Sequence, residues 1–114
     1  MAIRRTIELG GQEALAWLAA GAVALDVRER GERDAVRMPD SLWIPITELA
    51  RRWPELPGSL PVLVYCSAGS RSYRAAKFLR ERGLESAALV GGINEWISKG
   101  GAVEAGPREL APTN

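Results

Sequence analysis

The chain has 114 residues, 46% of them apolar. That suffices for one hydrophobic core but not two, with roughly two thirds of the unfolded surface buried. Its 15 basic and 14 acidic side chains nearly cancel, which excludes the electrostatic footprint of a nucleic-acid binder. A single cysteine excludes an intramolecular disulfide, and the absence of histidine excludes the usual Cys/His zinc site and the Cys-His and Ser-His-Asp hydrolases; no metal or other cofactor is expected.

Met1 to Arg5 lead into polar residues rather than an apolar targeting stretch, and no later segment approaches membrane-spanning length. A cytoplasmic location with no membrane partner is the expectation. From there, short apolar runs alternate with amphipathic stretches, the pattern of a parallel sheet covered by helices, so the expected class is α/β. A strand over residues 3–7 is followed by a helix over 12–20, with Leu15, Leu18 and Ala19 facing inward and Gly21 as its stop. A strand over 23–27, a short helix over 29–35 and a strand over 42–44 come next. Thr47 can cap a helix over 48–53 that Pro54 ends.

The strand over 62–65 is, like 23–27, a nearly continuous apolar run suited to the centre of a sheet. Residues 72–82 then read as a helix with Ala75, Ala76 and Leu79 inward, Arg74, Lys77, Arg80 and Arg82 on a solvated face, and Gly83 closing it. A strand over 87–90 and a helix over 93–99 between Gly91-Gly92 and Gly100-Gly101 complete a five-stranded, mainly parallel sheet with helices on both faces. The tail after Gly106 has two prolines and little apolar content, so residues 1–106 are expected to form one domain and 107–114 a loosely packed extension. Trp17, Trp43, Trp53 and Trp96 all fall on predicted elements and are assigned to packing.

The chemistry concentrates where the strand ending at Tyr65 delivers the chain to Cys66, Ser67, Ala68, Gly69, Ser70, Arg71 and Ser72, directly before a helix. Small residues let successive backbone N–H groups turn inward, and these donors plus the positive end of the helix dipole form an anion cradle. A thiolate at its rim is stabilised as well. A free cysteine with a pKa near ~8.5 is only a few per cent ionised at neutral pH, and a helix N-terminus lowers that value. Arg71, a cation in the first turn, opposes the dipole unless an anionic ligand or a carboxylate such as Glu29 lies nearby.

This loop, a cysteine followed by small residues with glycine in fourth place and Arg-Ser at its end, resembles that of the rhodanese family of single-domain sulfurtransferases. So does the strand signature Asp26-Val27-Arg28-Glu29, and so do Gly91-Gly92 before a short helix containing Trp96. The likeness runs from about Ala14 to Gly101. One landmark is altered: the usual Gly-His-Ile-Pro-Gly-Ala stands here as Val36-Arg37-Met38-Pro39-Asp40-Ser41, where only Pro39 survives. Arg37 in the histidine's place leaves the local loop geometry open and could add a positive charge near the site.

The resemblance implies a rhodanese-like fold in which Cys66 takes sulfane sulfur from a small anionic donor such as thiosulfate, becomes a persulfide, and passes the sulfur to cyanide or a thiol. A protein can serve as donor or acceptor in the same scheme. Backbone groups of Ser67, Ala68, Gly69, Ser70, Arg71 and Ser72 would surround the persulfide, with Arg71 attracting the donor or bracing the loop. Asp26 and Arg28 read as an ion pair that fixes neighbouring loops. Phosphatases and arsenate reductases also combine a cysteine, a donor loop and an arginine, but place five residues between the two, whereas Cys66 and Arg71 have four between them. The smaller ring suits a single sulfur atom. A binding module that keeps the fold without turnover stays open as the alternative.

Overall fold

The computed structural model describes residues 7–106. The expected tail over 107–114, and the expected first strand over 3–7 apart from Ile7, lie outside them. Within them β1 (Glu8–Leu9), α1 (Gly11–Ala19), β2 (Val23–Asp26), α2 (Arg30–Ala35) and β3 (Leu42–Trp43) lead to α3 (Leu49–Arg52). β4 (Val62–Tyr65), α4 (Ser70–Glu81), β5 (Ser86–Leu89) and α5 (Gly92–Ser98) complete the order. All strand pairs are parallel and the sheet runs β1-β5-β4-β2-β3, which puts β4 at its centre. The ladder extends slightly past the strands, since Ala88 N donates to Ile7 O at 2.7 Å and Val27 N to Tyr65 O at 3.1 Å.

The two-residue period of β4 divides the core. Val62 and Val64 pack with Leu25, Ala75, Ala76 and Leu79 on the face covered by α3 and α4. Leu63 and Tyr65 pack with Leu9, Ala14, Ile93 and Trp96 on the face covered by α1 and α5. Cys66 continues the alternation onto the α4 side.

Several boundaries and faces differ from expectation. In α1 the inward residues are Ala14, Trp17 and Leu18, whereas Ala19 is exposed and Leu15 is 56% exposed. Ala14 is fully buried against the Leu63 and Tyr65 face of the sheet, and Trp17 and Leu18, three and four residues on, share its side of the helix. Thr47 makes no cap: it sits inside a 3-10 turn, Ile46–Glu48, that precedes α3. The α-helix stops just before Pro54, as expected, and Pro54 occupies the first turn of a second 3-10 turn, Trp53–Glu55, where its missing N–H is not needed. Helix α4 begins at Ser70, two residues early, which brings Arg71 inside its first turn. Arg80, expected on the solvated face, reaches back to donate from Nε to Ser86 O at 2.7 Å, and Arg82 stacks 3.7 Å from the Phe78 ring centroid.

Candidate active site

Cys66 follows the central strand directly, at the carboxyl edge where parallel sheets place their ligands. Its sulfur accepts from Gly69 N at 3.0 Å and Ser72 N at 3.4 Å, and lies 3.4 Å from Ser72 Oγ. The Ser72 hydroxyl donates to Gly69 O at 3.1 Å and is placed to turn its proton to the sulfur when the thiol ionises. Burial pushes the thiol pKa up, but the hydrogen bonds from the Ser72 hydroxyl and the Ser72, Gly69 and Ala68 backbone outweigh it, and the pKa is lowered. The residue is 1% exposed, so approach to the sulfur is narrow. The rate of Cys66 alkylation by iodoacetamide is therefore expected to show a midpoint below the ~8.5 of a free thiol. Ser72→Ala, which removes the hydroxyl and leaves the backbone donors, should move that midpoint upward; an unchanged midpoint would show that the hydroxyl does not stabilise the thiolate.

The loop is held from behind by α5. Ile93 N donates to Cys66 O at 2.8 Å and Asn94 N to Ser67 O at 3.1 Å, which turns these carbonyls away from the sulfur and leaves the N–H groups facing it. This close approach requires glycine: a Cβ on Gly92 would meet Cys66 O and Ser67 O at 2.5 Å, and its φ of 62° already favours glycine. Gly69, at φ 119°, makes the turn that aims its own N–H at the sulfur.

Arg71 has a carboxylate partner, but it is Glu32 rather than Glu29. Both guanidinium ends bind it at 2.8 Å, and Glu32 also accepts from Ser67 Oγ at 2.8 Å and Glu29 N at 2.9 Å. These contacts, led by Arg71, lower the Glu32 pKa to about 2 and raise that of Arg71. Glu29 instead caps α2, completing a reciprocal capping box with Glu32. The sequence holds that signal as two glutamates three apart at a helix start, but such spacing is local and does not place Glu32 beside the loop.

Beneath this rim lies a buried polar network. Asp26 is 0% exposed, and its Oδ1 accepts from Arg28 N at 2.8 Å and Arg28 Nε at 3.0 Å. Its Oδ2 accepts from Arg28 at 2.9 Å, Arg33 at 3.2 Å and Tyr65 OH at 3.1 Å. Arg33 also binds Ser41 O at 2.7 Å, and Tyr65 OH accepts from Met38 N at 3.0 Å. Asp26 and Arg28 thus fix the segment after β2 and the turn before β3, and make no direct contact with the Cys66 sulfur. A cavity of about 760 Å³ lies elsewhere, between the start of α1 and α5, and takes in no residue of the Cys66 loop. Among the described residues no three His, Cys, Asp or Glu side chains gather as metal ligands, and no helix is long and apolar enough to cross a membrane.

The sequence profile described as "Rhodanese-like domain" matches residues 11–99. The chain belongs to the rhodanese-like family. It is 34% identical to a protein named sulfurtransferase from Allochromatium vinosum, over 67% of this chain and 72% of that one. With the adenylyltransferase and sulfurtransferase MOCS3 of Arabidopsis thaliana it shares 36% identity over 67% of its own length, yet spans only 20% of that protein. Two solved rhodanese-like folds are similar. A rhodanese-related protein from Thermoplasma volcanium superposes with a TM-score of 0.78 at 34% identity, covering 89% of this chain and 98% of that one. A thiosulfate sulfurtransferase from Pseudomonas aeruginosa superposes with a TM-score of 0.79 at 32% identity, covering 91% of this chain and 21% of that one.

The altered rhodanese landmark now has a physical account. Arg37 does not supply charge to the loop: it is buried, donates to Arg33 O and Gly106 O, pairs with Glu104 at 3.6 Å, and exchanges backbone bonds with Glu104. It fastens the segment after α5 to the end of α2. Asp40, where the family pattern has glycine, adopts φ 59°, a left-handed conformation that aspartate tolerates better than most residues.

Proposed function

We propose that this rhodanese-like chain is a sulfurtransferase that carries sulfane sulfur on Cys66. The observation that carries this reading is the Cys66 sulfur held at 3.0 Å and 3.4 Å by the backbone N–H groups of Gly69 and Ser72 at the mouth of α4. Such fixed donors stabilise negative charge on sulfur both before attack, as the thiolate, and after it, as the persulfide. No imidazole base is needed.

In the first step the Cys66 thiolate attacks the outer sulfur of the donor. A new S–S bond forms, the donor's bond to that sulfur breaks, and its electron pair leaves with sulfite or a thiolate. In the second step cyanide or an acceptor thiolate attacks the outer sulfur of the Cys66 persulfide and releases the Cys66 thiolate. Both steps displace a nucleophile at sulfur, so the cycle closes without external oxidant or reductant. Ser67, Ala68, Gly69, Ser70, Arg71 and Ser72 form the binding loop, with Asp26, Arg28 and Glu29 supporting it from below.

The near-complete burial of Cys66 favours one other reading, a module that keeps the fold for binding alone. Intact mass spectrometry after incubation with thiosulfate or a low-molecular-weight persulfide separates the two. Transfer predicts a gain of one sulfur atom, located by peptide mapping on the segment containing Cys66 and removed by cyanide. No gain from either donor would leave the binding module as the better account.

A further inference from the structure

We infer that Glu32 determines the donor class at this site: by neutralising Arg71 it disfavours dianionic donors such as thiosulfate and favours persulfides of low charge carried on a thiol. This rests on the sulfurtransferase reading and refines it.

The first observation is how completely Arg71 is engaged. Its two terminal nitrogens each bind one oxygen of Glu32 at 2.8 Å, and that carboxylate is itself anchored by Ser67 Oγ and Glu29 N, at 2.8 Å and 2.9 Å. Three segments, the start of α2, the residue after the nucleophile and the first turn of α4, therefore hold one carboxylate against one guanidinium. The second observation is the local charge. Arg71 interacts electrostatically with Glu29 as well as with the Cys66 sulfur, so two carboxylates stand around this cation and the thiolate adds a further negative charge; Arg28 also senses Glu32, but it is buried and its charge is answered by Asp26. Arg30 lies with its guanidinium 5.6 Å from the Trp43 ring centroid and 3.9 Å from Asp34, which answers part of its charge. Arg74 and Lys77 stand on the exposed face of α4, one turn and more beyond Arg71.

The third step is chemical. Gly69 N and Ser72 N point at the Cys66 sulfur itself, so the cradle compensates charge there and not on the donor's leaving group. Displacement at sulfur places the leaving group on the far side of the sulfur being transferred, towards the rim. Thiosulfate brings two negative charges to that rim and releases sulfite. A persulfide carried on a zwitterionic thiol brings at most one, that of its own ionised S–S− group: its outer sulfur bonds to Cys66, the electron pair leaves with the donor thiolate, and any proton on the transferred sulfur passes to water. Like charges repel at short range, so the rim favours the second donor.

The test compares the rate of Cys66 persulfide formation from thiosulfate, a dianion, with that from cysteine persulfide, whose amino and carboxylate charges cancel and whose ionised persulfide group leaves a single negative charge, in quenched samples read by intact mass. The unmutated protein should load faster from cysteine persulfide. Glu32→Gln keeps the side-chain shape and removes the charge; it should raise the thiosulfate rate roughly fivefold and leave the persulfide rate within about twofold. Equal slowing of both donors would show that Glu32 only holds the loop together, and an unchanged ratio of the two rates would equally overturn the inference. A second measurement needs no variant. Added salt screens repulsion, so thiosulfate loading of the unmutated protein should rise with ionic strength, and a fall would mean that the rim attracts the dianion. Loading from neither donor would instead remove the sulfurtransferase reading, and this inference with it.

Discussion

Cys66→Ser is expected to abolish sulfur transfer while leaving the fold in place. The serine hydroxyl does not ionise near neutral pH and is a poor nucleophile towards sulfur, so persulfide formation should fall on the order of a thousandfold or more, to background. The structural effect should be small. Gly69 N and Ser72 N, now 3.0 Å and 3.4 Å from the sulfur, can donate to a hydroxyl oxygen as well, so no buried donor is stranded. The expected change in stability is under about 2 kcal/mol. Urea denaturation alongside the mass assay checks both halves. Residual loading in a well-folded Cys66→Ser protein would place the acceptor sulfur chemistry somewhere other than this loop.

Asp26→Ala should have the largest effect on stability. It removes the carboxylate shared by Arg28, which is 2% exposed, and Arg33, which is 8% exposed, and leaves two buried guanidinium groups without their anion. Removing one partner from a buried ionic cluster typically costs about 3–5 kcal/mol, a large share of the roughly 5–15 kcal/mol that holds a domain of this size. The variant is expected to unfold at much lower urea with an unchanged m-value. Asp26→Asn, which keeps the shape and several hydrogen bonds, should fall between it and the unmutated chain. A loss below about 1 kcal/mol in Asp26→Ala would show that the two arginines are held adequately by Val36 O and Ser41 O.

The parts of the site that could be read from the chain are those built by neighbours in sequence. An apolar strand, a run of small residues and an amphipathic helix are each local patterns, and their order alone brings backbone donors and a helix terminus to Cys66. The same holds for the outward faces of Arg74 and Lys77 and the inward faces of Ala75, Ala76 and Leu79 on α4. The misread parts depend on which elements meet. An anionic ligand or a carboxylate such as Glu29 was the expectation beside Arg71; a carboxylate is there, but the Glu29 side chain is occupied in capping α2, and one turn later Glu32 projects towards the loop. Helical periodicity gave no warning that Arg33 is buried, because a charged residue faces inward only where a partner such as Asp26 on another element already waits.

By itself, then, the amino-acid order determined the place of Cys66 at the end of a buried strand, the cradle around it and the parallel α/β scaffold, since each follows from short-range periodicity, small residues and the polarity of one helix. Tertiary structure decided the electrostatics around them: that Glu32 and Arg71, 39 residues apart, share one salt bridge, and that Arg37 serves the segment after α5 and not the loop. Such pairings depend on the relative placement of whole elements, which is set by how the sheet buries its two faces and is not encoded in the residues immediately around either charge.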